Sequence, residues 1–132
     1  MNAIDAVLFD PVGILVDEHG QMYDDAVPAL AELDALGVKV IAVTSVTEAE
    51  LTKAVTEAAL TADRVVCLTD TEQGLRAARA AGVNPILMMN DPDEAMRLTA
   101  LNPAGGIVSL HELPDFVRLI AARFIDHELK VK

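Results

Sequence analysis

Cysteine is nearly missing from this chain. Cys67 is the only one in 132 residues, so no internal disulfide can form. It lies in the apolar run RVVCL, where a packed core thiol is expected rather than a reactive one. Basic residues are also scarce. Ten lysines and arginines stand against 21 aspartates and glutamates, a formal net charge of −11. A surface of that sign repels polyanions over most of its area, which excludes nucleic acid and an acidic membrane as partners. Long apolar runs are missing too. The longest stretch without a charged residue or histidine, Leu98–Leu110, is broken by Pro103 and by Gly105 and Gly106. The opening MNAIDAVLFD has no basic segment ahead of its apolar run. The expectation is a soluble, unprocessed, cytoplasmic protein. There is no GxGxxG or GxxxxGK phosphate loop. His19, His111 and His127 lie in separate segments without metal-ligand spacing, so no zinc site is expected.

The length fits one domain, 1–132, with a single substantial core and no room for a large cap. Apolar runs of strand length recur: AVLF, VKVIAV at 38–43, RVVCL at 64–68, PILMM at 85–89 and GIVSL at 106–110. They are nearly continuous rather than alternating, as strands covered on both faces require. Stretches of helical spacing separate them. In the first, Asp24 and Asp25 precede a stripe of Val27, Leu30, Leu33 and Leu36, and Gly37 closes the helix. In the second, Thr47 and Glu50 have capping-box spacing. A third ends on Gly82, and a short helix is expected over Asp91–Leu101, with Pro92 in its first turn. The last, roughly Pro114–Leu129, carries an apolar stripe of Phe116, Val117, Ile120, Phe124 and Leu129. Met22, Met88, Met89 and Met96 read as adaptable core filler. Repeated βαβ units predict an α/β fold, a doubly wound, three-layer α/β/α domain with a five-stranded parallel sheet of order 2-1-3-4-5. Ligands of such sheets gather at the carboxyl ends of strands one and three, where Asp10 and Asp70 fall.

Those ends carry motifs. AVLFDPVGILVD resembles the first motif of the haloacid dehalogenase-like hydrolases, a hydrophobic run followed by DxDGTxxD, with Asp10, Gly13 and Asp17 matching. VKVIAVTS resembles the second motif, a strand ending in Thr or Ser, at Thr44. LTDTEQGLRAARAAGV resembles the fourth, GDSxxDIxAAxAAG, with Asp70 at the metal-binding acid and Gly74 where many members have a second acid. GGIVSLHELPDFV resembles the family's closing strand and helix, so the likeness spans nearly the whole chain.

The resemblance implies a phosphorylated substrate and a reaction. Asp10 would be the nucleophile and Thr44 a donor to a phosphoryl oxygen, with Val12, Gly13 and Ser45 also at the substrate. Magnesium would be held by Asp10, the carbonyl of Val12 and Asp70. The departures fall on catalysis. Val12 stands where the family has its general acid, a contribution of about 10²–10⁴-fold. Pro11 has no backbone N–H, so one phosphate-binding amide is lost. The unit that normally carries the third-motif lysine is missing, which leaves Lys53, mid-helix, as the candidate against an exposed, solvated lysine. Only EHGQMYD separates Asp17 from the first helix, so no cap is present; capless relatives act on large substrates or assemble, which makes a homo-oligomer an expectation. Asp17, Glu18 and His19 read as loop decoration.

Three readings follow. In the first, the family fold carries a degraded phosphatase site with weak or no phosphohydrolase activity, a pseudoenzyme. Asp10 then caps local amides and Asp70 is the N-cap of the helix beginning near Thr71. The second is an active capless phosphatase using Asp10 with magnesium. The third, a receiver-like signalling domain, is disfavoured because the expected ends of strands four and five lack the Thr or Ser and the Lys that such domains need.

Overall fold

A computed structural model describes residues 4–10, 19–89, 92–100, 103, 105–107 and 109–118. Five strands form one parallel sheet: β1 (Ala6–Phe9), β2 (Lys39–Ala42), β3 (Val65–Thr69), β4 (Asn84–Met88) and β5 (Gly105–Ile107). Their spatial order is 2-1-3-4-5, as the βαβ pattern predicts. Between them run α1 (Ala26–Ala35), α2 (Glu48–Glu57), α3 (Glu72–Ala81) and α4 (Pro92–Thr99). After β5 a 3-10 turn, Leu110–Glu112, leads into helical residues 113–118.

Alternation along the central strands divides the core between two faces. Val7, Phe9, Val66, Leu68, Ile86 and Met88 pack with α1 through Ala26, Ala29 and Leu33, and with Leu113 and Val117. Ala6, Leu8, Val65 and Cys67 pack on the other face with Leu51 and Val55 of α2 and Ala77 and Ala78 of α3. Every residue of β1 and β3 is buried, which explains their uninterrupted apolar runs. β2 departs from that expectation. As an edge strand it has a neighbour on one side only, and Lys39 and Ala42 are exposed.

Local signals place most helix ends. Thr47 Oγ1 accepts from the Glu50 amide at 3.2 Å and starts α2. Gly82, at φ 79°, ends α3 in the left-handed region that a Cβ disfavours. α1 keeps its predicted stripe at Leu30, Leu33 and Leu36, which meet the core, and departs from it at Val27. Ala26, Ala29 and Leu33 are buried, whereas Val27 is 60% exposed. Ala26, Ala29, Leu30 and Leu33 recur at helical spacing on the side facing the sheet, and Val27, one residue on from Ala26, falls off that arc. Asp25 precedes α1 without capping it. Its carboxylate accepts from Ser109 Oγ at 2.8 Å and from the Leu110 amide at 2.9 Å, tying α1 to the chain after β5.

Strand five is shorter than 106–110, because Ser109 begins a capping box around the 3-10 turn. The methionines divide: Met88 is buried and Met89 packs against Leu87 and Leu98, but Met22 is exposed and Met96 is 80% exposed. Neither of the last two is core filler. Of the C-terminal stripe, Phe116 and Val117 meet the core, while Ile120, Phe124 and Leu129 lie outside the described residues. No helix among the described residues is long and apolar enough to cross a membrane.

Burial pushes the Cys67 thiol up from 9.0 to about 12. The folded chain therefore keeps its proton at a pH where the unfolded chain releases it. Stability from this group is fully present below pH 9.0 and is lost as pH rises from there towards about 12. Urea titrations across that window should show a fall in stability that Cys67→Ala lessens, once its lower baseline stability is subtracted.

Candidate functional site

The register of β1 on β3 builds the site. Phe9 lies opposite Leu68, so Asp10, the first residue past β1, comes out beside Thr69, the last residue of β3, with Asp70 one step further. Asp10 and Asp70 are both half-buried. Both line a cleft of about 250 Å³ at the carboxyl ends of these strands, together with Ser45, Val46, Leu68, Thr69, Thr71 and Gln73. This is the switch point of the sheet, where β2 lies to one side and β3 to the other of β1.

The start of α3 shapes one wall. Thr71, not Asp70, is the N-cap, and its Oγ1 accepts from the Gly74 amide at 2.9 Å. Thr71 is extended at φ −125°, ψ 155°, the conformation a capping hydroxyl needs to reach its third amide onward. Thr69 is 3% exposed. Its Oγ1 lies 3.4 Å from Thr71 Oγ1 and accepts from the Thr71 amide at 3.4 Å. Among the described residues no buried side-chain nitrogen or oxygen lacks a partner. Outside the cleft, Glu72 meets Arg97 of α4 at 3.4 Å and Arg76 at 3.6 Å, exposed pairs of little energetic weight.

The structure brings some of the predicted site residues together and separates others. Asp10, Ser45 and Asp70 share the cleft. Thr44 is exposed and lines a different depression, between β2 and α2, with Lys53, Glu50 and Glu57. Lys53 is 61% exposed along its side chain and its Nζ is 4.0 Å from Glu57. None of the described residues lining the cleft is basic. Val12 and Gly13 lie outside the described residues, as do Pro11, Asp17 and Glu18; His19 is exposed. Sequence reasoning missed Thr69, Thr71 and Gln73 as lining residues. The signal for Thr71 was available, since a threonine three residues before Gly74 at a strand end has N-cap spacing.

Two carboxylates in one cleft form a hard oxygen donor set, which fits magnesium, a cation that takes a few protein oxygens and keeps waters. Among the described residues no group of three or more histidines, cysteines or acids converges as a richer metal cage would require.

An open parallel sheet wound on both faces, with an acidic cleft at its switch point, defines a doubly wound α/β domain. More narrowly, the fold is that of haloacid dehalogenase-like proteins. A candidate beta-phosphoglucomutase from Bacteroides vulgatus superposes with a TM-score of 0.76 at 10% identity, over 89% of this chain and 90% of that one. A haloacid dehalogenase-like protein of unknown function from Agrobacterium tumefaciens gives 0.65 at 14% identity, over 89% and 99%. The 3-deoxy-D-manno-octulosonate 8-phosphate phosphatase of Moraxella catarrhalis, solved with a magnesium ion, a phosphate ion and a KDO molecule, gives 0.66 at 13%, over 99% and 95%. No protein-family model matches the chain, and no curated protein matches it in sequence.

Replacing Thr71 by Ala removes the α3 cap. A loss of about 0.5–2 kcal/mol is expected in chemical denaturation, with faster amide exchange at Gly74.

Proposed function

We propose that the cleft between Asp10 and Asp70 is a phosphate-ester site of the haloacid dehalogenase-like type whose hydrolytic turnover is weak or lost. The observation that carries this reading is the shared cleft of Asp10, Asp70 and Ser45 at the ends of β1 and β3. The phosphatase of the same fold that holds magnesium and phosphate supports the substrate class. The reading takes 1–132 as one domain without a cap.

In this proposal the Asp10 carboxylate attacks phosphorus, the new O–P bond forms as the ester P–O bond breaks, the leaving oxygen departs as its anion, and water then cleaves the aspartyl phosphate to phosphate and free Asp10. Ser45 donates to a phosphoryl oxygen from the opposite wall; Thr44, on the neighbouring depression, would have to turn to share that role. Asp10 and Asp70, with the carbonyl of Val12, would hold magnesium, which offsets charge on carboxylate and phosphate when bound. Lys53 would have to cross from its own depression to take part.

The defect is proton transfer. At Val12 no group can protonate the departing oxygen or later take a proton from water. An alkyl leaving group must then depart as a poor alkoxide, whereas an aryl phosphate releases a stable phenolate without help. Pro11 adds the loss of one donor to the phosphoryl oxygens.

Two measurements test this reading. Turnover of a panel of alkyl and aryl phosphates with magnesium should be slow, favour the aryl esters, and vanish in Asp10→Asn. Fast alkyl turnover would make the site that of an active capless phosphatase. Equal rates in the wild type and Asp10→Asn would remove Asp10 from the chemistry. Val12→Asp should raise alkyl turnover by about 10²–10⁴-fold if proton transfer is the main defect. No rise would place the defect at Pro11 or at the missing lysine.

A further inference from the structure

Gly74 is buried in the first turn of α3, directly behind Thr69. A Cβ built on Gly74 would overlap Thr69 Oγ1 outright, lie 2.7 Å from Thr69 Cβ and lie 3.0 Å from Thr69 Cγ2. The obstacle is no flexible side-chain end. Thr69 is a β-branched residue, 3% exposed, at the end of a fully buried strand, and its hydroxyl is engaged with Thr71. A rotamer change would relieve the overlap with Oγ1 but not the approach to Cβ.

We infer that Thr69 and Gly74 form one coupled pair that holds the cleft to the two carboxylates of Asp10 and Asp70. Thr69 lines the cleft, so a side chain growing from position 74 would enter the volume that its hydroxyl fills. The acids among the described lining residues are Asp10 and Asp70, and the Thr69 side chain leaves no room for an acid to be added from position 74. The consequence is a lower negative charge at the site and a weaker hold on a divalent cation than an acid at position 74 would give, since affinity for hard cations rises with the number of charged ligands. Thr69 is a positioning residue in this account. The part concerning magnesium rests on the proposed phosphate-ester site; the steric coupling does not.

A double-mutant cycle reads the coupling without turnover. Gly74→Ala should lower the melting temperature by about 4 °C or more in the wild-type background, or prevent folding, and should cost far less in the Thr69→Gly background. An equal cost in both backgrounds, a negligible cost in the wild type, or failure of both Gly74→Ala proteins to fold would overturn the pair. Calorimetric titration with magnesium reads the second consequence. Thr69→Gly combined with Gly74→Asp should bind at least about tenfold more tightly than the wild type. Unchanged or weaker magnesium binding by that double variant would overturn the link to cation affinity. Fast alkyl turnover, or aryl turnover unchanged in Asp10→Asn, would count against the proposed function and leave both of these readouts intact.

Discussion

The parallel pairing of β1 with β3 is the constraint on which the rest depends. These two strands are buried on both faces, and their register sets Asp10 beside Thr69 and one step from Asp70. Because side chains alternate, a slip of one residue would exchange the two core faces and carry Asp10 to the other side of the sheet. The apolar residues of both layers therefore determine where the acids stand. Leu8 and Cys67 bind one layer; Val7, Phe9, Val66 and Leu68 bind the other. Packing on either face thus reports on cleft geometry, although no packed residue other than Leu68 and Thr69 lines the cleft from these strands.

At the mouth of that pairing the chain concentrates negative charge. A phosphate ester approaching two carboxylates in a protein of net charge −11 meets repulsion that no basic residue among the described lining residues offsets. A cation would offset it in the proposed site, where Thr69 would limit how many acids hold that cation. In the proposed site the frame is intact while the parts that would move protons or neutralise charge are reduced. This division makes physical sense, because the frame is stabilised by many apolar contacts and tolerates single changes, whereas proton transfer needs one titratable group at one position.

Much of the fold was legible in the chain. Continuous apolar runs identified the five strands, Gly82 and Thr47 marked helix boundaries, and the crossover rule gave the strand order. The misses share a cause. Val27, the exposed methionines and the open edge at β2 depend on which neighbour an element finds, and periodicity alone does not name the neighbour. At the site, Asp10 and Asp70 were legible because they end strands. The split between Ser45 in the cleft and Thr44 outside it was not, because the chain bends after β2 and adjacent residues face different depressions.

The amino-acid sequence by itself determined the class of fold, the strand order, the two acids at the strand ends and a side chain without a titratable group at Val12. These follow from local pattern and residue chemistry. Only the tertiary structure decided that Thr71 rather than Asp70 caps α3, that Lys53 lies apart from the cleft, and that Thr69 fills the space beside Gly74. Each depends on distances between separate segments or across a strand-to-helix turn, and close packing settles such distances in a way that a linear pattern does not encode.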